Sequence, residues 1–365
     1  MKVLMITRLH NGEGPTSVLK AIGPFLRKEG IQIDFLCVDE INPPRDEVFS
    51  DVKVLTKAEC FRRLFNKDFY SYDLYHFHGA FLYQFLPIAS ELRRHNKKYI
   101  ITAHGNLMRN ALDFHAIRKR IYLIFLARKY FGGASLIHAL SSTEADDIKK
   151  VFPNTKIHVI PNGVNNDDFK RGTLNQNKIV FTFLGRIDVQ HKGIDLLLMA
   201  FDHALKLCDK NIKLYLYGPF NTSKDQSIVS QIISTSNLLQ KNVDIMGPVY
   251  DDAKYQAIIT SDVFVHTSRY EGMPMAVLEA MDMAVPVLIT DETNMGDIVR
   301  SSGCGEVVNL DIDSITEGII KMSNLTREER MNKGIAGREY AMDHLSWKTI
   351  AMKYYEMYEM ASLGD

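Results

Sequence analysis

The fold is decided by residues 268–282, which read Ser268-Arg-Tyr-Glu-Gly-Met-Pro-Met-Ala-Val-Leu-Glu-Ala-Met-Asp282. The segment just before them, 262–266, is apolar and β-branched, which predicts a buried strand. Residues 276–283 predict a helix, and residues 286–289 predict the next strand. Residues 271–274 are therefore predicted to form a strand-to-helix turn, a connection typical of parallel α/β sheets.

This turn combines an anion site with two carboxylates. Gly272 allows the backbone to approach a ligand, and Pro274 suits the first helical position because its missing N–H costs nothing there. The free N–H groups at the helix start favour a negative charge. Glu271 and Glu279 lie about two helical turns apart, and carboxylates accept hydrogen bonds from hydroxyls. The pattern favours a nucleotide sugar, with hydroxyls on both sides of a diphosphate; the alternative is that both glutamates are merely solvated.

The composition indicates a globular protein with room for two domains. The chain has 365 residues, of which 46% are hydrophobic, and its formal net charge is zero. The first residues, Met1–Arg8, are too short and too polar for a signal peptide and predict a first strand. No apolar run approaches the roughly 18 residues that cross a bilayer. We therefore expect a cytoplasmic protein.

The cysteines form no recognisable metal or disulfide pattern. They are scattered over both halves without C-x-x-C spacing, at Cys37, Cys60, Cys208 and Cys304. This distribution favours reduced thiols over disulfides or a zinc site.

The zero net charge hides an asymmetry between the halves. Residues 1–165 contain 24 Lys and Arg against 16 Asp and Glu, whereas the remaining residues contain 20 against 28. The first half therefore carries a formal charge of +8 and the second a charge of −8. Opposite charges suggest two domains with different partners.

The first half opens with a phosphate-binding candidate. Strand, loop, helix and strand are predicted in turn over residues 2–38, which implies a parallel sheet. The loop 11–14 falls at the carboxyl end of the first strand, where open α/β sheets bind ligands. Gly12 and Gly14 offer backbone N–H groups to a phosphate, but Ser17 occupies the third position of a G-x-G-x-x-G pattern. A tight turn without a ligand is the alternative.

Two later strands of the first half end in a His-Gly pair. These pairs are His78-Gly79 and His104-Gly105, and each falls where its strand leaves the sheet. A lone histidine is more often structural, but a second one in the same kind of position favours a functional role for one of them. We choose His104. No carboxylate lies at ligand spacing from either histidine, which disfavours a metal site.

The second half restarts a sheet after a predicted linker. Residues 165–177 are polar and rich in Asn, Asp and Gly, and the strand that follows ends in the loop 185–193. Arg186 and Lys192 both lie in this loop, and Asp195 is the predicted cap of the helix that follows it. Arginine offers a bidentate fork and lysine a point charge, a pair suited to a diphosphate. The alternative is that both are surface charges.

Together these motifs resemble those of family-4 retaining glycosyltransferases of the GT-B fold. The matching motifs span nearly the whole chain and comprise Gly185-Arg186, Lys192-Gly193, the E-x7-E pattern from Glu271 to Glu279, Pro161-Asn-Gly-Val164, His104-Gly105 and the tail around Trp347. The resemblance implies an α/β fold of two Rossmann-like, doubly wound domains facing across a cleft. The implied domains are an acceptor-side domain, a nucleotide-sugar-binding domain and a last helix crossing back to the first, at 1–165, 166–345 and 346–365.

The resemblance also implies roles for the site residues. Arg186 and Lys192 hold the donor diphosphate, Glu271 contacts the donor sugar, and His104 contacts the sugar or the reaction centre; these four form the predicted catalytic set. Glu279 contacts the ribose. The predicted donor-binding residues are Gly12, Gly14, Asn162, Gly185, Val249, Gly272, Met273, Pro274, Met275 and Glu279.

The implied reaction moves a sugar from a nucleotide-sugar donor to a glycan or polyisoprenoid-linked acceptor, as in surface polysaccharide biosynthesis. No acidic cluster falls on the loops of the predicted site, so we expect no metal, no cofactor and no nucleic acid. Two alternatives remain: a nucleotide-sugar epimerase of the same architecture, and a non-catalytic partner subunit. The second is disfavoured because the charged motif residues are all present.

A long helix, predicted over residues 109–131, suggests contact with a membrane through its basic part. Residues 118–129 place Arg118, Lys119, Arg120, Arg128 and Lys129 around an apolar centre. Such a segment can lie on an anionic bilayer, where a lipid-linked acceptor is presented. The alternative is that the centre is core and the charges are its solvated ends.

Overall fold

The strand-forming segments assemble into two separate parallel sheets, one in each of two compact units. The structure, a computed structural model, describes residues 1–9, 14–38, 47–49, 53–55, 66–113, 119, 121–165 and 177–363. Unit 1 comprises Met1–Gly163 with Leu345–Asp365, and unit 2 comprises Val164–His344. The tail around Trp347 is thus part of unit 1.

Unit 1 is built on a seven-stranded sheet. Its strands are β1 (Lys2–Thr7), β2 (Gln32–Val38), β3 (Lys53–Leu55), β4 (Leu74–His78), β5 (Tyr99–Thr102), β6 (Leu136–Ala139) and β7 (Ile157–Val159). They are all parallel and lie in the order β3-β2-β1-β4-β5-β6-β7. The central strands β4 and β5 are buried throughout, as expected for parallel strands covered on both faces, and they bury His76, His78 and Thr102 among apolar residues.

The helices of unit 1 come from both of the chain segments that form the unit. They are α1 (Gly14–Lys28), α2 (Phe85–Arg94), α3 (Arg109–Asp113), α4 (Arg128–Gly132), α5 (Ser142–Val151) and the tail helix α15 (Trp347–Leu363), with short 3-10 turns at Glu47–Phe49 and Lys67–Tyr70. The long α-helix predicted over 109–131 is wrong in its middle. There, Tyr122–Ala127 forms a π-helix directly before α4.

Unit 2 repeats the same design with six strands. They are β8 (Ile179–Leu184), β9 (Ile212–Tyr217), β10 (Val243–Gly247), β11 (Val263–His266), β12 (Val287–Thr290) and β13 (Gly305–Val308). All are parallel, in the order β10-β9-β8-β11-β12-β13. This order corresponds to the Rossmann order 3-2-1-4-5-6.

The helices of unit 2 are α6 (Val189–Lys192), α7 (Ile194–Leu207), α8 (Ser223–Ser234), α9 (Asn237–Asn242), α10 (Asp251–Ile259), α11 (Met275–Asp282), α12 (Gly296–Ser302), α13 (Ile312–Asn324) and α14 (Arg327–His344), with a 3-10 turn at Asp291–Thr293.

Two predicted helix starts were wrong. Pro274 is the extended N-cap of α11 rather than its first helical residue, and Gly193 rather than Asp195 caps α7.

The predicted α/β class with two Rossmann-like, doubly wound domains is confirmed. In each sheet the strand order reverses beside the first strand, between β1 and β4 in unit 1 and between β8 and β11 in unit 2. Ligands of doubly wound folds bind outside the carboxyl ends of the strands at this reversal. One strand, β3, was not predicted because its three residues are too short to show a pattern.

Candidate active site

The predicted residues of unit 2 gather where its strand order reverses. Gly185 and Arg186 follow β8, and Glu271 follows β11, the neighbouring strand. The backbone N–H of Gly185 donates to Tyr217 O at 2.9 Å, which fixes the chain as it leaves the sheet. Two segments far apart in sequence thus meet at the edge where this fold binds ligands.

Lys192 is held at this edge by a tight backbone contact. It ends the short helix α6, whose N-cap Asp188 accepts a hydrogen bond from His191 N at 2.8 Å. The next residue, Gly193, has a φ of +64°, and a Cβ there would lie 2.2 Å from Thr267 O. Only glycine fits such an approach without strain. The loop carrying Lys192 is therefore pressed against the end of β11.

Glu271 receives three hydrogen-bond donors on one oxygen. Its Oε1 forms an ion pair with Lys192 Nζ, accepts from Ser268 Oγ at 2.9 Å, and lies 3.2 Å from His266 Nε2. His191 Nε2 lies further away, at 3.8 Å, and donates to Tyr270 O at 2.9 Å. The other oxygen, Oε2, accepts no hydrogen bond from the described residues.

The charge states of this cluster follow from burial and from Lys192. Burial alone would raise the pKa of Glu271, but the charge of Lys192 and the hydrogen bond from His266 outweigh it, and the pKa lies well below its ordinary value. Burial lowers the pKa of His266. At neutral pH the carboxylate is therefore ionised and the imidazole neutral. Because a carboxylate only accepts hydrogen bonds, Nε2 of His266 carries the proton.

Glu279 belongs to a second ion pair. It lies on α11 and its Oε1 is 2.7 Å from Lys254 Nζ of α10, and both side chains are largely buried. Burial raises the pKa of Glu279, partly offset by Lys254. Sequence reasoning missed Lys254, which has no motif around it. The half-buried Val249 lies in the loop that leads into α10.

Arg186 is exposed at the site. It forms no ion pair or hydrogen bond with the part of the chain that the structure describes. Burial raises the pKa of Tyr270, which the charge of Arg186 partly offsets, and burial lowers the pKa of His191, to which the charge of Arg186 adds. A second arginine that sequence reasoning missed, Arg269, grips Asp195 with two bonds of 2.8 Å. Arg269 is thus occupied within the protein, whereas Arg186 presents its guanidinium outward.

The turn before α11 has the predicted character of a helix start. Gly272, Met273 and Pro274 are buried and Met275 opens the helix. The carbonyl of Pro274 accepts the N–H of Val277 at 3.1 Å, so the first N–H groups of α11 point out of the helix. The first of these groups, that of Met275, lies four residues along the chain from Glu271.

In unit 1, His104 is fixed by its neighbours in an uncommon conformation. Its φ is +52°, and its Nε2 lies 3.1 Å from His78 Nδ1. The next N–H, of Gly105, donates at 2.6 Å to the fully buried Glu144, which also accepts from Leu140 N. Burial lowers the pKa of His104 to about 3, so this imidazole is neutral at physiological pH.

Beside it, a chain of hydrogen bonds crosses the buried sheet of unit 1. His138 Nε2 bonds to the carbonyl of Ile160 at 2.8 Å and must donate, so its Nδ1 accepts from Thr102 at 2.8 Å. The Thr102 oxygen then accepts from His76 Nε2 at 2.7 Å, and His76 Nδ1 accepts from Tyr358 at 2.9 Å. The carbonyl of Ile160 thus determines which atom donates in each of these hydrogen bonds, as far as Tyr358 on the tail helix.

The remaining predicted residues are placed as follows. Gly14 opens α1, whereas Gly12 lies outside the described residues. Asn162 is buried. A Cβ on its neighbour Gly163 would lie 2.6 Å from the Trp347 ring, so the Pro-Asn-Gly-Val loop packs directly on the tail of unit 1.

Two further properties concern the described residues as a whole. They contain no group of three or more His, Cys, Asp or Glu side chains arranged to hold a metal ion. None of their helices is long and apolar enough to cross a membrane.

Comparison with known families divides the chain at the same place as the two sheets. Residues 164–340 match the family described as glycosyl transferases group 1. Residues 13–168 match glycosyltransferase family 4. The two matches follow one another and together cover most of the chain.

Two curated relatives are enzymes of sugar transfer. The chain is 24% identical over 294 residues to a GDP-mannose:cellobiosyl-diphosphopolyprenol alpha-mannosyltransferase of Xanthomonas oryzae pv. oryzae, covering 80% of this chain and 75% of the relative. It is 26% identical over 226 residues to a UDP-Gal:alpha-D-GlcNAc-diphosphoundecaprenol alpha-1,3-galactosyltransferase of Escherichia coli, covering 57% and 56%.

Among solved structures, sucrose-phosphate synthase from Thermosynechococcus elongatus superposes with a TM-score of 0.81. The identity is 16%, and the match covers 100% of each chain. At this identity the likeness concerns the fold, and it agrees with the two doubly wound sheets described above.

Proposed function

This chain is a glycosyltransferase of the GT-B fold, built of a glycosyltransferase family 4 domain and a glycosyl transferases group 1 domain, and we propose which reaction it catalyses. It transfers a sugar from a nucleotide-sugar donor to a glycan or lipid-linked acceptor, with retention of configuration and without a metal ion, in surface polysaccharide biosynthesis. The acceptor class is supported by the names of the two relatives, which both act on diphosphate-linked polyprenols.

The observation that carries the proposal is the Lys192–Glu271 pair where the strand order of unit 2 reverses. A cation and a sugar-binding carboxylate in contact suit a substrate in which a diphosphate is joined to a sugar. Lys192, the outward guanidinium of Arg186 and the N–H groups of α11 supply positive charge for the diphosphate. The unshared Oε2 of Glu271 accepts a hydroxyl of the sugar.

The chemical step needs the departing diphosphate to be stabilised as its bond to the sugar carbon breaks. Without a metal ion, Arg186, Lys192 and the start of α11 carry this electrostatic stabilisation. The acceptor hydroxyl forms the new bond on the face that the diphosphate leaves, and its proton passes to a phosphate oxygen. Glu271 keeps a well-lowered pKa and stays ionised throughout, which suits hydrogen bonding to the sugar.

Glu279 and His104 have supporting roles in this proposal. Glu279 binds the ribose, where its pairing with Lys254 limits its freedom. His104 meets the sugar or the acceptor as a neutral hydrogen-bonding group, since its low pKa prevents it from acting as a cation.

A ligand screen followed by a turnover assay tests this function. Nucleotide sugars of different bases and sugars are compared for their effect on the melting temperature, because a ligand at 100 times its dissociation constant stabilises by about 2.7 kcal/mol. The stabilising donor is then incubated with polyprenol-diphosphate glycans and with soluble glycans. Sugar transfer with retained anomeric configuration supports the proposal. Donor hydrolysis or epimerisation without transfer contradicts it.

We also propose peripheral contact with the inner face of the plasma membrane. Ile121 and Leu126 are each more than half exposed, and Arg128 and Lys129 are exposed beside them. Lys119 does not belong to this surface, because its ammonium donates to Ala111 O at 2.5 Å. Arg118 and Arg120, predicted as part of it, lie outside the described residues.

Vesicle co-sedimentation tests the membrane contact. Binding should rise with anionic lipid, fall as salt shortens the Debye length, and weaken when Arg128 and Lys129 are both changed to Glu. The matched control changes Arg27 and Lys28, an exposed basic pair at the end of α1 in unit 1, to Glu. Protein that stays in the supernatant at low salt with anionic vesicles would contradict the contact.

A further inference from the structure

His266 is a histidine at the end of β11 that no motif accounts for. Its side chain is 1% exposed, and its ring stacks on Phe183 with centroids 5.5 Å apart and planes within 16°. The ring of Phe264 lies nearly parallel at 6.3 Å. An aromatic pocket of this kind fixes the plane of the imidazole and keeps water from it.

The polar atoms of this ring are unequally used. Nε2 lies 3.2 Å from Glu271 Oε1 and donates to it, as the carboxylate requires. Nδ1 is buried and has no hydrogen-bond partner within the described residues. A buried polar atom without a partner costs free energy, so the hydrogen bond of Nε2 has to offset the cost of burying Nδ1. A leucine or phenylalanine would avoid that penalty in an otherwise apolar pocket.

The hydrogen bond from His266 matters because Lys192 has two partners. It neutralises Glu271 in the structure, and in the proposed function it also binds the donor diphosphate. When Lys192 turns toward the phosphates, Glu271 loses its strongest partner. The two remaining donors to Oε1 are His266 and the fully buried hydroxyl of Ser268.

We propose that His266 is a positioning residue for the transfer reaction, which together with Ser268 holds Oε1 of Glu271 while Lys192 engages the diphosphate. Oε2 then stays directed at the sugar hydroxyl throughout the reaction. This inference rests on the proposed function, because it takes Glu271 as the sugar-binding carboxylate and Lys192 as a diphosphate ligand.

The test compares His266→Leu with His266→Gln, which keeps an N–H donor of similar reach. The probes are GDP with GDP-mannose and UDP with UDP-galactose, and the pair that raises the melting temperature is used. His266→Leu should lower kcat/KM by about tenfold or more, the effect of losing a hydrogen bond to a charged group. Affinity for the nucleoside diphosphate alone should stay within about twofold, because that ligand lacks the sugar. His266→Gln should recover most of the loss.

A matched control separates positioning from packing. Phe183→Leu alters the same pocket without removing a donor to Glu271, and it should leave kcat/KM within about threefold when it is assayed well below its melting temperature. Ser268→Ala replaces His266→Leu in the test if that variant does not fold. It too should lower kcat/KM while leaving the affinity for the nucleoside diphosphate nearly unchanged.

Two results would overturn the inference. One is unchanged kcat/KM in His266→Leu or, if that variant does not fold, in Ser268→Ala; the other is an equal loss of nucleoside diphosphate and nucleotide-sugar binding. The failure of the proposed function looks different, because the wild-type enzyme would then transfer no sugar. A failure of the role assigned to Glu271 would appear as full turnover of Glu271→Gln. If Glu271→Gln is impaired and His266→Leu is normal, only the inference fails.

Discussion

The two sheets share one strand order but place different chemistry at their carboxyl edges. In unit 2 the edge carries charge, with the Lys192–Glu271 and Lys254–Glu279 pairs and the outward Arg186. In unit 1 the corresponding edge carries neutral imidazoles and hydroxyls, whose protons are ordered by a single backbone carbonyl. One fold thus carries paired and exposed charges at one edge and buried, neutral histidines at the other.

The difference has a physical basis in how each edge tolerates burial. Buried charges need partners, and unit 2 supplies them in pairs. Buried histidines become neutral, and unit 1 satisfies both nitrogens of His76 and His138 with hydrogen bonds. We therefore expect charge-removing substitutions to impair catalysis in unit 2 and substitutions that break hydrogen bonds to impair stability in unit 1.

The largest expected effect is the loss of the cations of unit 2. Lys192→Ala and Arg186→Ala should each lower kcat/KM by about 10- to 150-fold, since a hydrogen bond to a charged group contributes roughly 1.5–3 kcal/mol. Steady-state kinetics with varied donor measure this. The matched control is Lys321→Ala, an exposed cation of unit 2 paired with Glu306, which should leave kcat/KM within about twofold. Near-normal turnover of both site variants would remove them from the site.

A smaller effect, on stability rather than turnover, is expected for the hydrogen-bond chain of unit 1. Tyr358→Phe removes the donor to His76 Nδ1 and leaves a buried acceptor without a partner. The free energy of unfolding should fall by about 1–3 kcal/mol in urea titrations. Tyr355→Phe, on the same helix but exposed to solvent on its polar end, serves as the control. Equal stability of Tyr358→Phe and the wild type would show that this series of hydrogen bonds contributes little to the free energy of unfolding.

Acid should weaken unit 1 through the same histidines. Burial lowers the pKa of His138 from 6.5 to about 4 and holds that of His76 well below its ordinary value, so the unfolded chain binds protons before the folded one does. Their contribution to stability is present above pH 6.5 and is lost as the pH falls toward 4. NMR should show the ring signals of both histidines unchanged as the pH passes 6.5, with those of His138 shifting only near pH 4, while the unfolding free energy declines. Ring signals that titrate near pH 6.5 would contradict the assignment.

The smallest expected effect is that of removing divalent metal. Since lysine, arginine and a helix start are proposed to stabilise the leaving diphosphate, transfer in excess chelator should proceed at the normal rate. The assay is run with and without added magnesium or manganese. A loss of activity that either ion restores would contradict the metal-independent mechanism.

The sequence alone predicted the sheets well because buried parallel strands are continuous apolar runs, as in residues 263–265 of β11. It also predicted the loops that hold Arg186, Lys192 and Glu271, because glycines and charges at strand ends are local signals. It could not predict partners that tertiary structure selects. Lys254 and His266 carry no motif, and their contacts with Glu279 and Glu271 depend on how helices and strands pack.

The boundaries that failed did so for similar reasons. Pro274 fits either the first helical position or the cap, and its extended ψ of 119° was decided by the preceding turn. Asp195 resembles a cap by type, but it is held by Arg269 inside the first turn of α7. The π-helix at Tyr122–Ala127 inserts into an otherwise regular helical pattern, and periodicity does not reveal it.

The central claim is that Glu271 contacts the reacting sugar and Glu279 the remote ribose. It is tested most directly by comparing Glu271→Gln with Glu279→Gln in turnover at saturating donor, with the melting temperature of each variant as a check of folding. The account predicts that Glu271→Gln lowers kcat by about tenfold or more, because the lost interaction acts in the transition state. Glu279→Gln should chiefly raise KM for the donor. A larger loss of kcat in Glu279→Gln than in Glu271→Gln would contradict the account.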